Sequence, residues 1–171
     1  VVLYETLEIP EYCFAECSEL ISVTLKNNIW KIGYGAFCEN EKLTTVVFEG
    51  SVDIIGEQAF YDCPELATLT LPNSALTLEN YCFFECEGLS TLVFGENTFI
   101  KNMNGASCQS TAIRTFTVHA DNPYYAVSDD GKLLASKDGK TIYLAATGAD
   151  FGESYTISAD VVGNGAFCGI N

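Results

Sequence analysis

Positive charge is scarce in this chain: 8 lysines and arginines stand against 23 aspartates and glutamates, for a formal net charge of −15. Nucleic-acid binding needs lysine and arginine to displace counterions from phosphates, so a polyanion is repelled, and an anionic lipid surface equally. No apolar run approaches the roughly 18 residues that cross a bilayer as a helix, so no membrane insertion of this segment is expected. The N-terminus VVLYETLEIP has no basic stretch leading into an apolar one, and no signal peptide is visible. Histidine occurs once, at His119. A Cys–His nucleophilic pair would need a cysteine beside it and a third group to orient the imidazole. Cys108 is the nearest in sequence, and no local motif joins the two. There is no C-x-x-C pair of the kind that builds a zinc finger. SDDG and KDG lack the alternating acids of a calcium loop and are turns first. No pair of carboxylates stands out for glycosidase chemistry. Catalytic, metal-binding and cofactor-binding residues are therefore expected to be none, and so is a cofactor.

What is present is a repeat. The 171 residues, 48% of them hydrophobic, amount to one domain with enough apolar surface for a core. Four stretches align without a gap at a period of 23 residues: YCFAECSELISVTL (12–25), GAFCENEKLTTVVF (35–48), QAFYDCPELATLTL (58–71) and YCFFECEGLSTLVF (81–94). Phe14, Phe37, Phe60 and Phe83 share one slot, and Leu20, Leu43, Leu66 and Leu89 another. Ile9, Ile32, Ile55 and Leu78 occupy a third. A unit this short does not bury its apolar side alone, so consecutive units must stack into a solenoid. The alternation in L-x-x-L-x-L predicts a short strand in each coil. The acidic segment between Phe and Leu predicts a tight turn at the rim. Ile29 to Ile32 and Val52 to Ile55 predict an extended opposite wall.

A fifth unit is shifted by one inserted residue, with Ile113, Phe116 and Val118 in the strand slots and no Phe ahead of them. Residues 121–157 break the period, and Asp130-Gly131 and Asp138-Gly139 predict an inserted β-hairpin or three-stranded excursion. Residues 158–171 restart the repeat at Gly165-Ala166-Phe167-Cys168. Val2 and Thr6 are in phase with Leu25 and Ile29, so residues 1–11 end a preceding repeat and 12–120 hold the regular and degenerate ones. The whole chain, 1–171, is expected to be a single solenoid domain, a fragment of a longer array.

Ile55-Gly56 with Ala59, Phe60, Cys63, Leu66, Leu69, Leu71 and Pro72 resembles, position by position, the BspA-like leucine-rich repeats of bacterial surface proteins. The segment from Asn122 to Ile157, followed by GNGAF, is similar to an element these proteins often carry. Glu79 departs from the usual Gly, and the Phe slot is lost near residue 106. The resemblance implies a mainly β, right-handed leucine-rich-repeat superhelix. It further implies a non-enzymatic, secreted or cell-surface-anchored protein, often one suspected of adhesion. It brings no catalytic or binding residues, because the shared motif consists of core positions.

Eight cysteines raise the question of disulfides. Cys17, Cys63 and Cys86 share a slot with Asn40, and exchange with Asn points to an inward turn position that satisfies backbone groups rather than to redox chemistry. A disulfide between adjacent coils, such as Cys63 with Cys86, is the alternative, since the coil spacing lies within the Cα range of such a bond. Cys13 and Cys82 replace alanine, and Cys38 and Cys168 follow the Phe. His119 falls just past the strand, where a surface residue is expected.

The candidate partner-binding positions are the outward strand residues. Ser22, Thr45, Thr68, Thr91 and Thr115 form one row, and Thr24, Val47, Thr70, Val93 and Thr117 a second. Strand propensity and cross-strand hydrogen bonding account for threonine here; the alternative is a flat, neutral face that docks an extracellular protein or a glycan. The acidic rim is solubility first and recognition second. Tyr124 and Tyr125 are either exposed binding aromatics or, preferably, inward anchors of the excursion. Two functions of different class remain: a surface interaction module, and a structural spacer in a larger surface protein whose activity lies elsewhere.

Overall fold

The computed structural model describes residues 7–102, 112–168 and 170. Its strands are β1 (Leu7–Ile9), β2 (Ser22–Leu25), β3 (Ile29–Ile32), β4 (Thr45–Phe48), β5 (Val52–Ile55), β6 (Thr68–Thr70) and β7 (Ala75–Leu78). They continue with β8 (Thr91–Phe94), β9 (Phe99–Ile100), β10 (Thr115–Val118), β11 (Tyr125–Val127), β12 (Leu133–Ser136), β13 (Thr141–Ala145) and β14 (Val161–Val162). Among the described residues there is no helix. The protein is a mostly β solenoid of coils about 23 residues long.

Each coil has three walls. The back wall is a parallel sheet in the order β1-β3-β5-β7-β9. The front wall is also parallel, in two blocks, β2-β4 and β6-β8-β10. Pro72 ends β6 early: the equivalent Glu49 donates its N–H to Leu25 O at 2.9 Å, a bond that proline lacks the hydrogen to make. Thr91 pairs with Thr115 in register, which places the inserted residue ahead of β10.

The third wall is the turn over the Phe slot, and it is laddered too. Phe14, Phe37 and Phe60 donate their N–H groups to Ala36, Ala59 and Cys82 carbonyls at 2.8, 2.8 and 2.9 Å. The flanking residues do the same: Tyr12 bonds Tyr34, and Glu16 bonds Cys38, at 3.0 and 2.9 Å. The chain achieves this by turning through the left-handed region twice per coil. Glu16, Glu39, Asp62 and Glu85 have φ of 54, 56, 50 and 59°, and Tyr12, Gln58 and Tyr81 have 54, 56 and 58°. Such a conformation costs an L-residue about 1–3 kcal/mol and persists where the surroundings over-determine it; here the cross-coil N–H bonds do so.

Between the walls the phenylalanines form a column. Ring centroids are 5.2 Å apart for Phe14–Phe37, 5.3 Å for Phe37–Phe60 and 6.1 Å for Phe60–Phe83. Leu43, Leu66 and Leu89 are fully buried beside it. Phe14 corrects the sequence expectation. It is 42% exposed, because Phe37 covers one face of its ring and no coil of the described residues covers the other.

The excursion is three-stranded and antiparallel, β11-β12-β13, with Gly131 and Gly139 at φ 76 and 72° in its two turns. Strand β13 then pairs in parallel with β14, Ile142 against Val162, so the third strand of the excursion rejoins the stack. A second small core forms there from Leu133, Ala135, Ile142 and Ala145, with Phe151, Tyr155 and Phe167 packed against it. The first turn folds over the outer edge of the front sheet: the Phe116 N–H donates to Gly131 O at 2.8 Å, closing an edge that would otherwise offer unpaired groups.

Candidate interaction surfaces

The cysteine slot is built for the backbone. The Phe carbonyl of one coil points at the turn of the next, and the side chain in the slot donates to it. Asn40 Nδ2 reaches Phe14 O at 2.9 Å and Phe37 O at 2.7 Å. Cys63 Sγ reaches Phe37 O at 3.2 Å, and Cys86 Sγ reaches Phe60 O at 2.9 Å. A disulfide between Cys63 and Cys86 would remove both thiol donors from buried carbonyls. The described cysteines are present as thiols. The hydrogen bond with Cys63, followed by burial, pushes the Cys86 thiol up, and burial pushes up Cys38, so these sulfurs are poor nucleophiles. Cys17 is half-buried in the end coil, Cys13 and Cys168 are exposed, and Cys82 is buried. Cys108, the lost Phe slot near 106, and the phasing of Val2 and Thr6 lie outside the described residues.

Sequence reasoning overlooked a fourth side chain that serves backbone carbonyls in this way. Asn122 is fully buried and donates through Nδ2 to Gly95 O at 2.7 Å and Thr98 O at 3.1 Å. Its Oδ1 accepts the Tyr124 and Tyr125 N–H groups, both at 2.9 Å. Nothing in the sequence around Asn122-Pro123 marks the asparagine as buried. Below it, Tyr125 is the anchor, with its hydroxyl accepting the Ile100 N–H at 3.0 Å. Tyr124 is exposed, against Phe99 at 4.7 Å, so only one of the two tyrosines turns inward.

His119 is exposed and accepts the Asp121 N–H at its own Nδ1, 3.2 Å. Glu79, standing where other coils have Gly, keeps the coil bond: its N–H donates to Ile55 O at 2.9 Å, as Gly56 does to Ile32 O at 2.8 Å. Its carboxylate accepts the Glu57 N–H at 3.0 Å.

The front face carries the two rows. Ser22, Thr24, Thr45, Val47, Thr68, Thr70 and Thr117 are exposed, while Thr91, Val93 and Thr115 are half-buried. Their registers match across coils, Ser22 with Thr45 and Thr68 with Thr91. The hydroxyls of Thr91 and Thr115 are 3.4 Å apart. The face is uncharged at all ten positions, and the turn of the excursion stands at its β10 end, Gly131 lying against Thr115.

Around the corner, the turn band is acidic and aromatic. Tyr12 and Tyr34 meet edge to face at 5.3 Å. Tyr61 donates its hydroxyl to Glu85, which with burial pushes Tyr61 up to about 12. Burial, with Glu85 and Glu41 nearby, pushes the Asp62 carboxyl up.

The decisive comparison is with families. The pattern of a BspA type leucine rich repeat region matches residues 7–126 in six copies. The chain belongs to the BspA-type leucine-rich repeat family. It is similar in structure to a leucine-rich repeat protein from Eubacterium ventriosum ATCC 27560, at a TM-score of 0.72 and 18% identity, over 95% of this chain and 42% of that one. At that identity the likeness concerns the fold, and the chain spans under half the length of its neighbour. No curated protein matches it. BspA-type repeats are associated with bacterial surface proteins, and this solenoid is a repeat module of the kind used for protein interaction or as structure. No described helix is long and apolar enough to cross a membrane.

Proposed function

We propose that this segment is a non-enzymatic interaction module of an extracellular or cell-surface-anchored protein, and that its front face docks an extracellular protein or a glycan. The observation that carries this reading is the face itself: ten uncharged positions in two rows on five strands, in register within each of the blocks β2-β4 and β6-β8-β10. Threonine hydroxyls with adjacent methyl groups offer hydrogen bonds and apolar contact together, which suits a partner that brings its own polar groups. The scaffold alone does not name the partner. The family pattern agrees with this reading.

The test is an array of purified extracellular-matrix proteins and glycans, probed with the intact chain and with Thr68→Asp/Thr91→Asp. Saturable binding that the charged variant loses, with circular dichroism unchanged, supports docking at the front face. Only salt-sensitive, non-saturable association removes the proposal. The second reading, a structural spacer, is favoured by the Thr91–Thr115 contact, which uses hydroxyls within the sheet. Under it, deleting residues 12–94 in register leaves the activity of the larger protein intact.

A further inference from the structure

The excursion holds one of the protein's own lysines in a distinctive seat. Lys132 Nζ lies 3.6 Å from Asp130 Oδ2 and donates to Asp150 O at 2.6 Å. It stands over the rings of Phe151 and Tyr155, 5.5 and 5.6 Å from their centroids. Tyr155 donates its hydroxyl to the same Asp130 oxygen at 2.8 Å, and the two rings meet edge to face at 4.8 Å. The parts are a carboxylate, a tyrosine bonded to it, and a second ring in contact with that tyrosine. Together they supply Coulomb attraction and the negative faces of two π systems to one ammonium.

The turn band repeats this set of parts. Tyr61 donates its hydroxyl to Glu85 Oε2. The Tyr61 ring stacks with Phe84 at 6.2 Å, and Phe84 meets Tyr81 edge to face at 5.6 Å. Here no lysine or arginine among the described residues lies within ion-pair distance of the carboxylate. The nearest charge has the same sign: Asp62, one coil back, lies close enough to Glu85, Glu41 and Glu87 for each of them to act on its carboxyl. A cation relieves that repulsion, and the net charge of −15 draws one in from a distance.

We propose that Tyr61, Phe84, Tyr81 and Glu85 form a seat for a lysine side chain of a basic protein segment that lies along the turn band past Asp62 and Glu39. The partner is thus a polypeptide carrying spaced lysines. This surface is separate from the front face, so it stands or falls independently of docking there.

The experiment measures binding of a fluorescein-labelled peptide of alternating lysine and serine to the intact chain, by anisotropy at physiological salt. Saturable binding is expected. Glu85→Gln and Phe84→Leu should each weaken it about tenfold, as loss of a carboxylate or a ring from a cation site does. Asp53→Asn removes the same charge from the exposed back sheet and should change it less than about twofold, being screened at that distance. Should Phe84→Leu fail to fold, Tyr81→Asn replaces it, since asparagine accepts the φ of 58° at that position. The peptide with its lysines acetylated should not bind. Equal weakening by Asp53→Asn and Glu85→Gln would show attraction to net charge alone and overturn the seat. Equal binding of the acetylated peptide, or no saturable binding at all, would overturn it as well.

Discussion

The phenylalanine column makes a graded prediction about stability. Phe60 is 0% exposed and has a ring on each side, Phe37 at 5.3 Å and Phe83 at 6.1 Å, whereas Phe14 is 42% exposed with one ring at 5.2 Å. Truncating a buried phenylalanine to alanine costs about 3–5 kcal/mol through lost transfer energy and the cavity left behind. In a stack, Phe60→Ala also weakens two nearest-neighbour interfaces, while Phe14→Ala touches one. Half the burial and half the ring contacts give about 1–2 kcal/mol for Phe14→Ala. At about 2–4 °C per kcal/mol for a chain of this length, the melting temperature should fall by about 10 °C for Phe60→Ala and by about 4 °C for Phe14→Ala. Far-UV circular dichroism reports the whole stack. Trp30, the single tryptophan, lies on β3 and reports its N-terminal part by fluorescence. If the two variants melt at the same temperature, the column does not carry the inter-coil coupling, and the reasoning fails.

Two further perturbations separate bonding from bulk. Cys86→Val keeps the volume and deprives the Phe60 carbonyl of its 2.9 Å thiol donor, so it should cost about 1–3 kcal/mol in urea melts, while Cys86→Ser keeps a donor and costs less; equal midpoints would reduce the thiol to a space filler. In the excursion, burial pushes Asp130 up, but hydrogen bonds from Ser128, Tyr155 and the Lys132 N–H, with the Lys132 charge, outweigh it and hold the carboxyl at about 2. A carboxyl depressed in the folded state contributes stability that is present above its unfolded value of about 3.9 and is lost as pH falls through the folded one. Carboxyl-carbon NMR should therefore place the Asp130 midpoint near 2, with loosening of residues 147–160 only below about pH 4, and Tyr155→Phe should raise the midpoint. A midpoint at the ordinary value would refute this network.

Much of the coil was legible because a stacked repeat imposes one cross-section on every unit. Slots such as Phe37/Phe60/Phe83 or Leu43/Leu66/Leu89 must all be apolar and alike in size, and the period of 23 residues displays them. The back wall and both turns of the excursion were legible for similar local reasons: β-branched runs in one case, Asp-Gly pairs in the other. The left-handed turns were not. Sequence rules look for Gly or Asn at such positions, and the coils place Glu16, Glu39, Gln58, Asp62 and Tyr81 there. Nothing adjacent to those residues requires that conformation; for Glu16, Glu39, Gln58 and Asp62 the N–H bonds to the following coil do. Phe14 failed for a related reason, since its slot is apolar whether or not a ring covers its outer face. The front rows were legible as positions, while the narrowing at Pro72 and the closure of the β10 edge by Gly131 emerge only on assembly.

By itself, then, the sequence determined the period, the inward residues of each coil, the predominance of negative charge and the placing of an excursion after the fifth unit. These follow from hydrophobic pattern and composition, which act residue by residue. The tertiary structure alone decided that cysteine and asparagine serve the carbonyls of another coil, that β13 returns to the stack, and that Tyr61 meets Glu85. Each of those depends on groups 20 to 26 residues away in the chain, brought together by stacking and invisible to any local pattern.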